Sequence, residues 1–264
     1  MGYQRLGCGM CPKAGRLYIG DGVKIIGLSA VCVVSDDLGI FFMPITITFL
    51  GHAGFILEGD GHAVVIDPFL TGNPLAKTRP QDIQCQHIAL THGHADHLGD
   101  TVAIAKANNA TVYGAFEIAE YVGGQGCNAS PGNPGGKIDT PFGFIAFTQA
   151  FHSSSFEGQY MGMPCGLIIH MNGVTFYHCG DTSLFGDMKL LGEIYQQDIA
   201  GIPIGDRFTM GPALATKAAE LISPEVAIPI HYKTFDLLVQ DASGFAPQDI
   251  AVRVLNPGQV WQYG

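Results

Sequence analysis

The stretch His87-Ile88-Ala89-Leu90-Thr91-His92-Gly93-His94-Ala95-Asp96-His97-Leu98 decides the reading of this chain. Its first four residues form a short apolar run that predicts a buried strand. Residues 98–108 have helical spacing, with Asn108-Asn109 as a stop signal. Between strand and helix, four metal-ligating side chains fall within six residues, His92, His94, Asp96 and His97. A loop in that position aims imidazoles at neighbouring points without burying them in a core. Packing alone explains the cluster poorly, because each buried polar ring would need its own partner. Imidazole suits zinc, iron and nickel, and carboxylate suits harder ions such as manganese.

Outward from this stretch, strands and helices alternate. Residues 45–50, 55–58 and 63–66 read as strands, with Gly51-His52-Ala53-Gly54 as the first turn and Asp67-Pro68 ending the third. A strand over 111–113 precedes a short helix over 115–122. The glycine-rich segment 123–136 reads as a flexible lid or a long connection. Strands follow over 142–150, 167–170 and 174–177, the last two joined by the hairpin signal Met171-Asn172-Gly173. A helix over 187–196, a strand over 199–202, a helix over 212–222 and a strand over 226–230 complete the pattern. No repeat and no linker divides the chain after Met43, so residues 43–264 read as one α/β domain.

Composition narrows the function. Of 264 residues, 47% are hydrophobic and 14% charged, which supports a sizeable core and argues against disorder. The net charge of −10 and the lack of any Lys/Arg cluster disfavour nucleic acid as substrate or partner. The same acidity disfavours stable association with anionic membranes. Seven cysteines, an odd number without regular spacing, suggest reduced thiols in the cytoplasm rather than a disulfide framework. Cys8 and Cys11 form a lone CxxC, short of the four ligands a structural zinc site needs.

Residues 1–42 read differently. Arg5, Lys13, Arg16 and Lys24 precede an apolar run over 25–34. That run is too short to span a bilayer, which takes roughly 20 residues. It resembles the apolar part of an export signal, which would place the protein outside the cytoplasm, but its cleavage pattern is poor. The alternative is an upstream extension, since Met43-Pro44-Ile45-Thr46-Ile47-Thr48-Phe49 opens like the first strand of a domain.

His-x-His-x-Asp-His after a strand resembles the signature of the metallo-β-lactamase superfamily, and the remaining parts of that pattern follow in order. His152 follows the strand over 142–150, Asp181 stands in Cys179-Gly180-Asp181, and His231 ends the strand over 226–230. The resemblance covers essentially residues 43–264 and implies a four-layer αββα sandwich. The stretches Phe49-Leu50-Gly51-His52-Ala53-Gly54, Ile66-Asp67-Pro68-Phe69, Ala150-Phe151-His152-Ser153, Ile204-Gly205-Asp206-Arg207-Phe208-Thr209-Met210-Gly211-Pro212 and Pro229-Ile230-His231-Tyr232 resemble a branch related to ascorbate-6-phosphate lactonase. The resemblance implies two divalent ions, zinc or manganese, with nickel or iron as alternatives. His92, His94 and His152 would hold one, Asp96, His97 and His231 the other, and Asp181 would bridge them. Asp96 and Asp181 are also the carboxylates implied in catalysis. Two ions about 3.5–4 Å apart share a water and lower its pKa towards neutral. That implies a metal-bridged hydroxide cleaving a small ester, lactone or phosphoester.

Other residues carry weaker expectations. His52, Arg207, Thr209, Tyr232 and Lys233 are candidate substrate contacts, with Asp206 beside a helix start able to meet an anion. Asp67 is a candidate to orient a ligating histidine. His62, His87, His170 and His178 fall outside the pattern and read as packing or surface residues. Three other readings stand beside hydrolysis: a di-iron oxidoreductase on the same fold, a nuclease, and a metal-binding protein without catalysis. The expected partner is a small-molecule substrate, with a homo-oligomer as the expected assembly.

Overall fold

The computed structural model describes residues 44–264, so Cys8, Cys11 and the proposed extension over 1–42 lie outside the described residues. The first sheet begins with β1 (Ile45–Gly51), β2 (Gly54–Gly59), β3 (His62–Ile66) and β4 (His87–Ala89). Helices α1 (Ala95–Leu98) and α2 (Thr101–Asn108) lead to β5 (Thr111–Ala115), α3 (Phe116–Gly124) and β6 (Asn128–Gly132). The second half comprises β7 (Lys137–Thr140), β8 (Gly143–Gln149), a small hairpin of β9 (Ser155–Phe156) and β10 (Gln159–Tyr160), β11 (Cys165–Met171) and β12 (Val174–His178). It continues through α4 (Met188–Tyr195), β13 (Ile199–Pro203), α5 (Pro212–Ile222), β14 (Val226–Ile230) and β15 (Ala251–Val252), and β16 (Val260–Tyr263) returns to the first sheet.

The two seven-stranded sheets run β16-β1-β2-β3-β4-β5-β6 and β15-β14-β13-β12-β11-β8-β7. Each has three antiparallel pairings at one side and three parallel pairings at the other. Between the sheets lies one core, in which Ile47, Phe49, Phe55, Leu57 and Ile66 meet Ile145, Phe147, Leu167, Ile169 and Phe176. Outside the first sheet a second core gathers Ile88, Leu98, Ile104, Ile118 and Val122. Outside the second sheet Ala215, Ala218, Ala219 and Ile222 of α5 pack on Ile168, Tyr177 and Ile202. Three cores between four layers define the αββα sandwich that the sequence predicts. Alternation explains β1, whose inward residues Ile45, Ile47 and Phe49 are buried while Thr46 and Thr48 are partly exposed.

Two expectations are corrected. The helix predicted over 98–108 is interrupted at Gly99-Asp100, so the ligand loop gains its own short turn. Gly99 takes φ 43, and a Cβ there would lie 2.3 Å from the Pro68 carbonyl oxygen, so only glycine fits. The segment over 123–136 is neither a lid nor a bare connection. It contains β6, which pairs in parallel with β5. Gly135 N–H donates to the Phe147 carbonyl at 2.8 Å and Phe147 N–H to the Gly136 carbonyl at 2.9 Å, tying the segment across to the second sheet. Pro131 is tolerated in β6 because this is an edge strand.

Candidate metal centre

Every candidate ligand segment starts at or just beyond the carboxyl end of a strand. The first sheet contributes His52 after β1, Asp67 after β3 and His92–His97 after β4. The second contributes His152 after β8, Asp181 after β12 and His231 after β14. The two sets meet at one edge of the sandwich. His231 N–H donates to the His52 carbonyl at 2.7 Å, and buried His178 reaches across to the Ala53 carbonyl at 2.8 Å through Nε2. Gly180 N–H donates to His178 Nδ1 at 3.0 Å, which fixes this ring as a neutral structural strut.

Hydrogen bonds set the imidazole tautomers. Asp67 is fully buried and accepts from Thr91 N–H at 2.9 Å, the Thr91 hydroxyl at 2.6 Å and His97 Nδ1–H at 2.7 Å. His97 Nε2 is thereby the ring atom turned towards the cluster, 3.4 Å from Asp181 Oδ1, and the one a cation would engage once its proton leaves. Having given its proton to Asp67, the Thr91 hydroxyl accepts from His92 Nδ1 at 3.0 Å. His92 Nε2 then faces His94 Nδ1 at 3.0 Å, and His94 Nε2 faces the Ser153 hydroxyl at 3.2 Å. From the other sheet, His152 Nε2 and His231 Nε2 stand 3.5 Å and 3.0 Å from Asp181 Oδ2. The loop stays close because Gly93 has no side chain: a Cβ would fall 2.3 Å from Met161 Cβ.

The electrostatics match this arrangement. Burial, reinforced by His97, pushes the His92 pKa well below its ordinary value, and burial lowers His94 and His152. These three rings are therefore neutral and offer lone pairs. Burial disfavours a charged His97, yet Asp181 and Asp67 together outweigh it and raise its pKa well above normal. Asp181 is held well below the carboxylate range by His231 and His97 despite its burial. Burial likewise opposes ionised Asp96, but neighbouring His52 and His97 outweigh it and keep the pKa low. His52 is lowered to about 4 by burial and by His231.

The donor set fits divalent cations. Among the described residues, three groups have ligand atoms all within 4.8 Å of one another: His92, His94 and His152; His92, His97 and Asp181; and His52, Asp96, His97 and His231. His97 Nε2, Asp181 Oδ1 and both His231 ring nitrogens are buried without a hydrogen-bond partner. Such orphaned polar atoms are costly in a folded protein, and a cation would engage those that carry a lone pair. His52, Asp67 and His231 have φ of 56°, 43° and 56°, left-handed turns that end three strands at this site.

The weaker candidates are distributed differently. Asp67 stands directly behind His97, and His52 lies inside the ligand cluster. Tyr232 packs against the helix-facing core of the second sheet. Arg207 is exposed, with its guanidinium 5.8 Å from the Phe208 ring centroid. Thr209 donates to the Met210 carbonyl at 3.3 Å, Asp206 has φ 73, and Lys233 N–H donates to the Val239 carbonyl at 2.8 Å. His87 is buried between His62 and Phe142 at the opposite ends of the strands, and the ring of His170 stacks on Phe144. Thr91, Ser153, Thr234 and Phe235 carry no role in the sequence pattern. Thr91 and Ser153 each adjoin a candidate ligand histidine, the one signal that could have found them.

This fold and this convergent His/Asp cluster define a metal-dependent hydrolase of the metallo-β-lactamase class. The chain belongs to the beta-lactamase superfamily, whose domain model matches residues 46–231. Its relatives carry the same description. A UPF0173 metal-dependent hydrolase of Carboxydothermus hydrogenoformans is 47% identical over 221 residues, covering 81% of this chain and 98% of the relative. A UPF0173 metal-dependent hydrolase of Geobacillus sp. strain WCH70 is 46% identical, covering 81% of this chain and 97% of the relative. Among solved structures, Igni18, a metallo hydrolase from Ignicoccus hospitalis, superposes with a TM-score of 0.77 at 34% identity, covering 84% of this chain and 99% of that one. Divalent metal ions are therefore part of the working enzyme.

Proposed function

We propose that the chain hydrolyses a small neutral ester or lactone with two divalent ions, zinc or manganese, bound at this cluster. His92, His94 and His152 would hold one ion, Asp96, His97 and His231 would hold the other, and Asp181 would serve both. The observation that carries this reading is the convergence of imidazole nitrogens on the buried carboxylate of Asp181, whose Oδ1 lacks a hydrogen-bond partner. When bound, the ions supply Lewis acidity and lower the pKa of water towards neutral.

The chain's own side chains do the rest. Asp67 holds His97 in the Nδ1–H tautomer, so that Nε2 is available. Asp96 is the site carboxylate with solvent access, its side chain 29% exposed. Its Oδ2 faces His52 and His231, so Oδ1 is the atom able to accept a hydrogen bond from the attacking water and orient it. Beside His152 lies a groove of about 600 Å³, whose lining includes Phe151, Ser153, Tyr160, Met163 and Pro164. No Lys, Arg, Asp or Glu lines it. An apolar acyl group is favoured there, and a phosphoryl group would find no cationic side chain. This supports the carbonyl substrates over the phosphoesters within the expected range.

The hydrolase domain is proposed as residues 43–264, supported by relatives whose nearly complete lengths align with about 221 residues of this chain. A cytoplasmic enzyme is proposed from the cysteines: Cys85, Cys127, Cys165 and Cys179 are all free. Among the described residues, no helix is long and apolar enough to cross a membrane. The test is metal analysis per chain, followed by a panel of p-nitrophenyl esters of increasing chain length, lactones and a phosphodiester. Two ions and kcat/KM that rises with acyl length are expected. Turnover confined to the phosphodiester would overturn the substrate class, and two irons without hydrolysis would move the reading to redox chemistry.

A further inference from the structure

His52 belongs to neither of the two proposed ligand sets, yet its side chain is fully buried within the cluster. It stands in the turn between β1 and β2 with φ 56. A turn alone would favour glycine or asparagine there, because the left-handed region costs other residues about 1–2 kcal/mol. The imidazole, not the turn, therefore accounts for this histidine. Its ring packs 4.1 Å from the His231 ring, and Phe69 and Phe235 meet it edge-on.

Hydrogen bonds orient the ring. Nδ1 lies 2.9 Å from the Thr234 hydroxyl, and that hydroxyl donates to the Tyr232 carbonyl at 3.3 Å. A hydroxyl has one proton, so once it is given to Tyr232 the oxygen accepts from His52 Nδ1–H. Nε2 is left with a lone pair, which faces Asp96 Oδ2 at 3.1 Å. Two acceptors this close repel unless a cation lies against both. The ligand atoms of His97 and His231 complete the group, all four within 4.8 Å of one another.

We propose that His52 Nε2 is a fourth protein ligand to the ion held by Asp96, His97 and His231. The inference rests on the two-ion reading above. It gives this ion one more protein ligand than its neighbour, so the two positions differ in affinity and in coordination number. The alternative role for His52 is to donate an N–H to Asp96 and merely position it.

Cobalt(II) loading distinguishes the two, with His52→Gln as the variant, because a glutamine amide can donate to Asp96 but is a poor metal ligand. The readouts are cobalt retained per chain after gel filtration, its dissociation constant by chelator competition, and the visible d–d spectrum. The wild type is expected to retain two ions. H52Q is expected to bind one of them at least tenfold more weakly and to lose part of the spectrum. If H52Q keeps both ions with wild-type affinity and spectrum, His52 is only a positioning residue and the proposal falls. If the wild type itself binds no cobalt, the two-ion reading fails as well. Should H52Q not fold, as judged by circular dichroism, the 15N-histidine-labelled wild type decides. A His52 Nε2 resonance that shifts on zinc addition upholds the proposal, and one that stays in place refutes it.

Discussion

Substituting Asp67→Asn perturbs the centre without removing a proposed ligand. Asp67 Oδ2 accepts two donors, the Thr91 hydroxyl at 2.6 Å and His97 Nδ1–H at 2.7 Å, while Oδ1 accepts Thr91 N–H at 2.9 Å. Asparagine keeps one oxygen for Thr91 N–H and turns an NH₂ towards the other two. His97 relieves that clash by giving up its Nδ1 proton and keeping the one on Nε2 opposite Asp181 Oδ1. The metal-free protein then loses little beyond the Thr91 hydroxyl contact, about 1–3 kcal/mol. The metal-bound protein loses the His97 lone pair. Replacing a partner behind a ligating histidine costs about 10–100-fold in metal affinity, or about 1.4–2.8 kcal/mol. Competition with a fluorescent chelator measures the affinity, and thermal unfolding in EDTA measures the metal-free stability. Unchanged affinity within twofold, alongside a measurable loss of metal-free stability, would refute the tautomer argument.

Other predictions follow from the same geometry. His94→Ala and Asp181→Ala should each abolish hydrolysis and lower the metal content while the fold persists by circular dichroism, and full activity in either would sink the proposed ligand set. A chain beginning at Met43 should remain folded and retain its metals, since the three cores are built from residues within 44–264; loss of folding would contradict the proposed domain boundary. His87, whose pKa burial and neighbouring His62 lower to about 4, should titrate by NMR near that value. Its folded pKa lies below the unfolded value of about 6.5, so its contribution to stability is complete above pH 6.5 and declines as the pH falls towards 4. A midpoint near 6.5 would show the ring to be solvated.

Much of the molecule is determined locally, and that part was legible in the chain. The ligand loop His92–His97 is contiguous, and the apolar run before it marks a strand wherever it occurs. Alternation over Ile45, Ile47 and Phe49 and the hairpin at Met171-Asn172-Gly173 are likewise properties of short stretches. Tertiary structure alone decided the rest. Asn128–Gly132 has no strand pattern and contains a proline, yet it becomes β6 because the open edge of β5 supplies its hydrogen bonds. The helix break at Gly99 comes from the approach of the Pro68 carbonyl, more than thirty residues earlier in the chain. Thr91 was in view as part of the motif, but its hydroxyl acquires a direction only when Asp67, from a different strand, accepts its proton. His52 illustrates the same limit: in the sequence it is a turn histidine forty-four residues from Asp96, and only the meeting of two sheet edges brings the two within 3.1 Å. Sequence spacing encodes which side chains share a loop. Which loops share a site depends on the packing of the sheets and on which donors and acceptors that packing leaves without water.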